Sequence, residues 1–129
     1  MIRLLSRLAV AAVLVAGLLT GPVDAAQASV YSSCTISGCA DARAARSGWS
    51  SLGFPTTRAW YQWPAGKYNF AGGRYYNREG ELPANATYYE YDVIPRNQGA
   101  ARDAKRIIIN RSTGATWYSP NHYTDFYRL

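Results

Sequence analysis

Beyond its first 28 residues, this chain offers only one stretch with helical periodicity, so any domain it forms must be built mainly from strands. Residues 41–52 place Ala42, Ala45, Trp49 and Leu52 at helical spacing, with Asp41, Arg43 and Arg46 elsewhere on the wheel. Gly53-Phe54-Pro55 ends that helix. From Arg74 onward the pattern changes to short runs and tight turns. Residues 74–77, 87–94, 106–110 and 115–119 read as strands, and Ser112-Thr113-Gly114 is a hairpin signal between the last two. Residues 125–129 read as a final edge strand. In 87–94 the alternation puts Tyr89, Tyr91 and Val93 on one face and Tyr88, Glu90, Asp92 and Ile94 on the other. Residues 56–73 hold Pro64, Gly66, Gly72 and Gly73 among Trp60, Tyr61, Trp63, Tyr68 and Phe70, which predicts an ordered aromatic loop with some short extended structure. An N-terminal helix packed on a small antiparallel β-sheet is an α+β fold. With no internal repeat, low-complexity tract or linker, a single domain is expected.

The first 28 residues read differently. Arg3 and Arg7 precede an apolar run at residues 8–19, and Ala26-Gln27-Ala28 puts small residues where a signal peptidase reads. The run is short for a bilayer span. The expectation is a signal peptide over residues 1–28, cleaved after Ala28, and a secreted domain over residues 29–129 that is soluble and has no membrane segment. The formal net charge of +6 loses Arg3, Arg7 and Asp24, so the secreted domain carries about +5. A small basic secreted domain suits a polyanion: nucleic acid, an anionic envelope or an acidic inhibitor. Charge that merely aids solubility is the plainer reading. All 4 Trp and 11 Tyr fall in this domain, where aromatic burial can supply a core that small size would otherwise leave marginal. Cys34 and Cys39 are expected to form a local disulfide in an oxidising compartment. A metal or redox pair is disfavoured, because the spacing is not Cys-x-x-Cys and one histidine does not complete a zinc set.

Four positions stand out chemically. His122 is the only histidine in the chain. Glu90 lies mid-strand among aromatics, where glutamate is disfavoured. Arg102 and Arg106 precede and open the next strand. Each has an ordinary meaning alone: a structural histidine on a surface turn, a tolerated strand carboxylate, and a solvated basic face shared with Arg96, Lys105 and Arg111. Together they form a set able to cleave RNA without a metal. A carboxylate takes the proton from a 2′-hydroxyl, an imidazole gives one to the leaving oxygen, and the arginines hold the phosphate. An antiparallel meander can bring Glu90, Arg106 and His122 to one face, with Arg102 in the loop before. No nucleophile elbow, phosphate-cradling glycine loop or histidine metal spacing offers a rival chemistry.

At these residues the chain resembles the small guanyl-specific ribonucleases secreted by microbes, the barnase type. The likeness rests on Asn77-Arg78-Glu79-Gly80-x-Leu82-Pro83, on Glu90 in its strand, on Arg102-x-x-x-Arg106-Ile107, and on His122-Tyr123-x-x-Phe126. It runs from about Arg74 to the C-terminus, while residues 29–73 match only loosely and receive no assigned contact. The resemblance implies Glu90 as general base and His122 as general acid. It implies Arg102 and Arg106 on the scissile phosphate with help from Tyr123, and Glu79 accepting hydrogen bonds from the guanine N1 and N2 edge. Tyr75, Tyr76, Asn77 and Arg78 would frame the base, with Tyr75 where the family often has Phe. A carboxylate facing two guanine N–H donors is a reading that adenine cannot satisfy. Some relatives join their termini by a disulfide, whereas both cysteines here are N-terminal.

The function so implied is a secreted endoribonuclease cutting single-stranded RNA 3′ to guanosine through a 2′,3′-cyclic phosphate, as a monomer and with no metal or organic cofactor. The alternatives are a non-catalytic basic module binding RNA or another polyanion, and the same enzyme used as an antibacterial toxin, which would require an acidic protein inhibitor in the producing cell.

Overall fold

The structure, a computed structural model, describes residues 28–129, so the expected signal peptide lies outside the described residues apart from Ala28. The helix forms where its periodicity predicts, as α1 over Cys39–Ser51. Ala42, Ala45 and Trp49 are its buried face. Leu52 is not part of that face. It caps the helix and is 44% exposed. Gly53 follows at φ 74, and the Gly53 and Phe54 amides bond back to the Ser50 and Trp49 carbonyls, the left-handed stop that glycine adopts without a Cβ penalty.

Seven strands form one sheet in the order β1-β7-β6-β5-β4-β3-β2. They are β1 (Ser29–Tyr31), β2 (Ala59–Trp63), β3 (Lys67–Tyr75), β4 (Tyr88–Asp92), β5 (Arg106–Asn110), β6 (Thr116–Ser119) and β7 (Asp125–Arg128). Neighbours from β2 to β7 run antiparallel. The turn at 112–114 closes β5 onto β6, with Gly114 at φ 80 donating to the Asn110 carbonyl at 2.7 Å.

Two expectations need correcting. Residues 56–73 are not an aromatic loop but most of a hairpin: β2 pairs with β3 from Ala59↔Ala71 to Trp63↔Lys67 across a single 3₁₀ turn at Pro64–Gly66. Gly66 ends the turn, and Gly72 and Gly73, the other glycines that suggested a loop, lie inside β3. Gly72 is required there, since a β-carbon would collide with the Glu90 carboxylate, and the register shifts between Ala71 and Gly73 in a bulge. Nor is β7 an edge. The short exposed segment β1 adds to it in parallel, Val30 opposite Phe126, and takes the edge itself.

The sheet buries both faces. On the helix side Trp49, Ala71, Tyr91, Val93, Ile107, Ile109 and Tyr118 pack together with the bonded Cys34 and Cys39. Trp49 is the centre of this cluster. Its ring meets Tyr61, Trp63 and Tyr91 within 5.8 Å, and its indole N–H donates to the Asp92 carbonyl at 2.9 Å. Truncating such a side chain in a close-packed core costs about 3–5 kcal/mol. On the other face Leu82, Tyr88, Ile108, Trp117 and Phe126 form a second cluster, with Tyr75 and Tyr123 on its margin. Strand β4 thus has its back fixed by the helix and its front turned to the second cluster. Glu90 and Asp92 stand on that front.

Candidate active site

Glu90 is 6% exposed at the middle of β4. A carboxylate so placed needs compensation, and the fold supplies it from two directions. Arg102 Nη2 lies 3.1 Å from Glu90 Oε1, and Arg106 Nε lies 3.2 Å from Oε2. The second contact is an ion pair without hydrogen-bond alignment, because Arg106 Nε is buried with no hydrogen-bond partner among the described residues. The Tyr123 hydroxyl donates to Oε2. Burial and then the neighbouring Glu90 charge push that phenol well above the ordinary tyrosine range.

The two arginines are not a solvated face. Arg106 is 3% exposed, and both it and Arg102 reach past Glu90 to Asp92, which is fully buried. Arg102 Nη2 is 2.5 Å from Asp92 Oδ1, Arg106 Nη1 is 3.3 Å from the same oxygen, and Arg96 Nη2 is 2.6 Å from Oδ2. Burial opposes the charge on Arg102, but bonds to Asp92 and the field of Glu90 outweigh it and hold the pKa above the ordinary arginine value. Lys105 and Arg111 take no part in this network; Arg111 instead lies over the Tyr89 ring.

His122 sits on the turn between β6 and β7, exposed, at φ 53, and Tyr123 follows at φ 70. Two consecutive non-glycine residues in the left-handed region cost about 1–3 kcal/mol each and persist only where surroundings enforce them. Here the His122 amide donates to the Ala104 carbonyl and the Tyr123 amide to Ser119 Oγ, each at 2.8 Å. The turn therefore aims the imidazole and the phenol at one cleft.

The loop after β3 closes that cleft. Asn77, at φ 52, spends its side chain on the loop itself: Nδ2 donates to the Leu82 carbonyl at 2.8 Å and Oδ1 accepts from the Leu82 amide at 3.1 Å. The Gly80 amide donates to the Asn77 carbonyl at 3.0 Å. This staple leaves Arg78 and Glu79 exposed at the rim. Tyr75 turns inward against Tyr123, ring centroids 4.8 Å apart. Tyr76 points outward at 61% exposure with the Arg74 and Arg78 guanidiniums over its ring at 5.1 and 5.3 Å.

Of the residues expected at the site, Glu90, Arg102, His122, Tyr123, Tyr75, Tyr76, Asn77, Arg78 and Glu79 all line a single cleft of about 340 Å³, and Arg106 lies buried behind it. Arg58, Gly72 and Arg74 line it too. The sequence alone assigns none of these three to the site, nor Asp92 as an anchor. Alternation had set Asp92 on the Glu90 face, which was the available signal. Glu81 was also missed. Its Oε2 is buried without a hydrogen-bond partner among the described residues, beside a neighbouring cavity shared by Glu79 and His122. Burial and the charges of Glu81 and Glu79 push the Tyr75 hydroxyl up to about 12. Among the described residues no group of three His, Cys, Asp or Glu side chains is arranged to hold a metal ion, and no helix is long and apolar enough to cross a membrane.

Comparison with known proteins gives two matches. A sequence model of the ribonuclease family matches residues 24–129. The guanyl-specific ribonuclease Sa3 of Kitasatospora aureofaciens is 39% identical over 64 residues, which make up 48% of this chain and 45% of that protein. The matched part thus spans less than half of that relative.

Proposed function

The chain belongs to the ribonuclease family, and from that premise we propose that it is a secreted endoribonuclease cleaving single-stranded RNA 3′ to guanosine, with its catalytic domain in residues 29–129. The observation that carries this reading is the buried Glu90 carboxylate, held between Arg102 and Arg106 in the cleft that His122 and the 77–79 loop also line.

Glu90 takes the proton of the guanosine 2′-hydroxyl, and the oxygen attacks the adjacent phosphorus. As the bond from phosphorus to the 5′-oxygen breaks, His122 gives its proton to that oxygen. Arg102 and Arg106 hold the charge that gathers on the non-bridging oxygens. Their pairing with Asp92 fixes the guanidiniums before substrate arrives, so little reorganisation is needed at the moment of reaction. The products are a 5′-hydroxyl end and a guanosine 2′,3′-cyclic phosphate, hydrolysed more slowly with the two roles exchanged. DNA lacks the nucleophile and is not cut. Glu79 accepts hydrogen bonds from guanine N1 and N2, and the aromatic side chains of the 75–76 segment lie alongside the base.

Digestion of a defined oligoribonucleotide in EDTA, with products identified by mass, tests this reading. Fragments ending in guanosine 2′,3′-cyclic phosphate are expected. Intact RNA that is nonetheless retained by the protein would instead make it a non-catalytic polyanion binder.

A further inference from the structure

The positive charge of the domain is not confined to the cleft. Every ion pair among the described residues falls in the network of Glu90, Asp92 and Asp103. Arg43, Arg46 and Arg111 belong to none of them. Arg43 and Arg46 stand three residues apart on α1, on adjacent turns of one helix face. With Ser47, Ser50, Phe54 and Ile109 they line a groove of about 530 Å³ on the helix side of the sheet, the side turned away from Glu90. No acidic side chain lines it among the described residues. Asp41, the acid of the first helical turn, lines a separate cavity beside Trp63.

These arginines are held in place. Arg43 Nη2 donates to the Cys34 carbonyl at 3.0 Å, Arg46 Nη2 to the Gly114 carbonyl at 3.3 Å, and Arg111 Nη2 to the Gly53 carbonyl at 3.5 Å. A guanidinium has five N–H donors. Each of these three has a neutral acceptor among the described residues, so its charge is fixed in position and left uncompensated. Anchoring of this kind lowers the entropy lost when an anion binds. The groove has rings as well as cations. Phe54 is half-buried at φ 48, its amide bonded to the Trp49 carbonyl at 2.9 Å and its ring edge-on to Tyr91 at 5.8 Å. Ile109 pairs with Tyr89 across β4 and β5, and Arg111 lies over the Tyr89 ring at 5.8 Å.

We propose that this groove is a second binding site for single-stranded RNA, separate from the cleft. Anchored cations for phosphates, aromatic faces for bases and no carboxylate to repel the chain are what a single strand needs. The phosphates meet Arg43, Arg46 and Arg111, and a base lies against the Phe54 ring. Because the groove is on the other side of the sheet from Glu90, it does not hold the bond that is cut. It holds a remote stretch of a long substrate and so raises the local concentration of cleavage sites at the cleft. A dinucleotide gains nothing from it. This inference rests on the reading of the protein as a ribonuclease acting on RNA, and adds a preference for long chains.

The experiment compares the wild-type protein with Arg43→Gln/Arg46→Gln and with Lys67→Gln/Arg128→Gln, which removes the same charge outside the groove. Affinity is measured over a range of salt for 2′-O-methyl poly(U), which cannot be cleaved, and kcat/KM is measured on GpA and on a long RNA. In the groove variant, affinity should weaken about tenfold or more at low salt. The slope of log affinity against log salt should become shallower by about 1.4, two contacts at about 0.7 each for a single strand. Its kcat/KM on the long RNA should fall while that on GpA stays. Arg111→Gln, in an exposed turn, should give a smaller loss in the same direction, and it decides the matter if the double variant does not fold. Unchanged affinity, an equal loss in the Lys67→Gln/Arg128→Gln control, or a GpA rate that falls in step would overturn the groove site. A wild type that cuts neither GpA nor long RNA, yet binds the polymer through Arg43 and Arg46, would remove the cleavage reading and leave the groove standing.

Discussion

Asp92 stands two residues beyond Glu90 on the same face of β4, and the two carboxylates are gripped by the same pair of arginines, Arg102 and Arg106. Asp92 is the more deeply buried of the two, and it also takes Arg96. Arg102 and Arg106 are thereby both anchored on Asp92, Arg102 at the wall of the cleft and Arg106 buried behind it. Asp92→Asn keeps the shape but removes the charge that three arginines share. Breaking a buried pair of this kind costs about 3–5 kcal/mol, so the urea midpoint should fall markedly. The cleavage rate should fall about tenfold or more under conditions where the variant is still folded, because the arginines would lose their fixed aim. Unchanged stability and unchanged kcat/KM would show that Asp92 does not hold them.

Alternation in 87–94 put Glu90 and Asp92 on one face, and the structure agrees. The strands near 88–92, 106–110 and 116–119 were legible because each is short, rich in aromatic or β-branched residues, and bounded by turn residues. The partners of Asp92 were not legible, since they depend on how the 96–106 loop folds back over the sheet. The β2–β3 hairpin was hidden by Gly72 and Gly73, which read as loop signals until the position of the Glu90 carboxylate explains them. β1 was hidden too. Its three residues are exposed, and its parallel partner lies almost a whole domain away in sequence.

The turn carrying His122 predicts a kinetic signature. Activity should require a deprotonated Glu90 and a protonated His122, giving a bell-shaped pH profile. His122→Ala should abolish the basic limb and slow cleavage of a poor leaving group by about 10² or more. Loss of activity with both limbs unchanged would show that His122 supports the turn and donates no proton.

The Cys34–Cys39 bridge closes a loop with a sequence separation of 5 and packs into the helix-side core, away from the cleft. Loop-closure entropy for so short a ring amounts to about 2 kcal/mol. Replacing both cysteines by alanine should therefore lower the melting temperature modestly and leave kcat/KM intact below the transition. Titration of the native protein should find no free thiol.

Alkaline stability should be set by buried phenols. The hydroxyls of Tyr75, Tyr91 and Tyr123 are all pushed above the ordinary tyrosine value, chiefly by burial, Tyr75 to about 12. The folded protein thus keeps protons that the unfolded chain releases near pH 10. The stability these groups contribute is complete below about pH 10 and is lost as pH rises toward the folded-state values. Ultraviolet titration should show these phenols ionising only together with unfolding, and Tyr75→Phe should make the alkaline decline shallower. A smooth titration of all tyrosines near pH 10 without unfolding would contradict their burial.

Glu79 and Glu90 line one cleft from different elements, an exposed turn and a buried strand, and so should fail in different ways. Glu79→Gln exchanges an acceptor-only carboxylate for an amide whose NH₂ would face guanine's own donors. Cleavage after guanosine should fall by about 10² or more, on the scale of leaving a specific polar pairing unmade. Slow cleavage after other bases should change little, so the preference for guanine collapses. Glu90→Gln removes the proposed base and one anionic partner of Arg102 and Arg106, and should slow all four dinucleotide substrates alike while their ranking stands. Both variants measured on all four dinucleotides separate recognition from bond breaking. A uniform loss in Glu79→Gln, or a guanine-selective loss in Glu90→Gln, would reverse the two assignments.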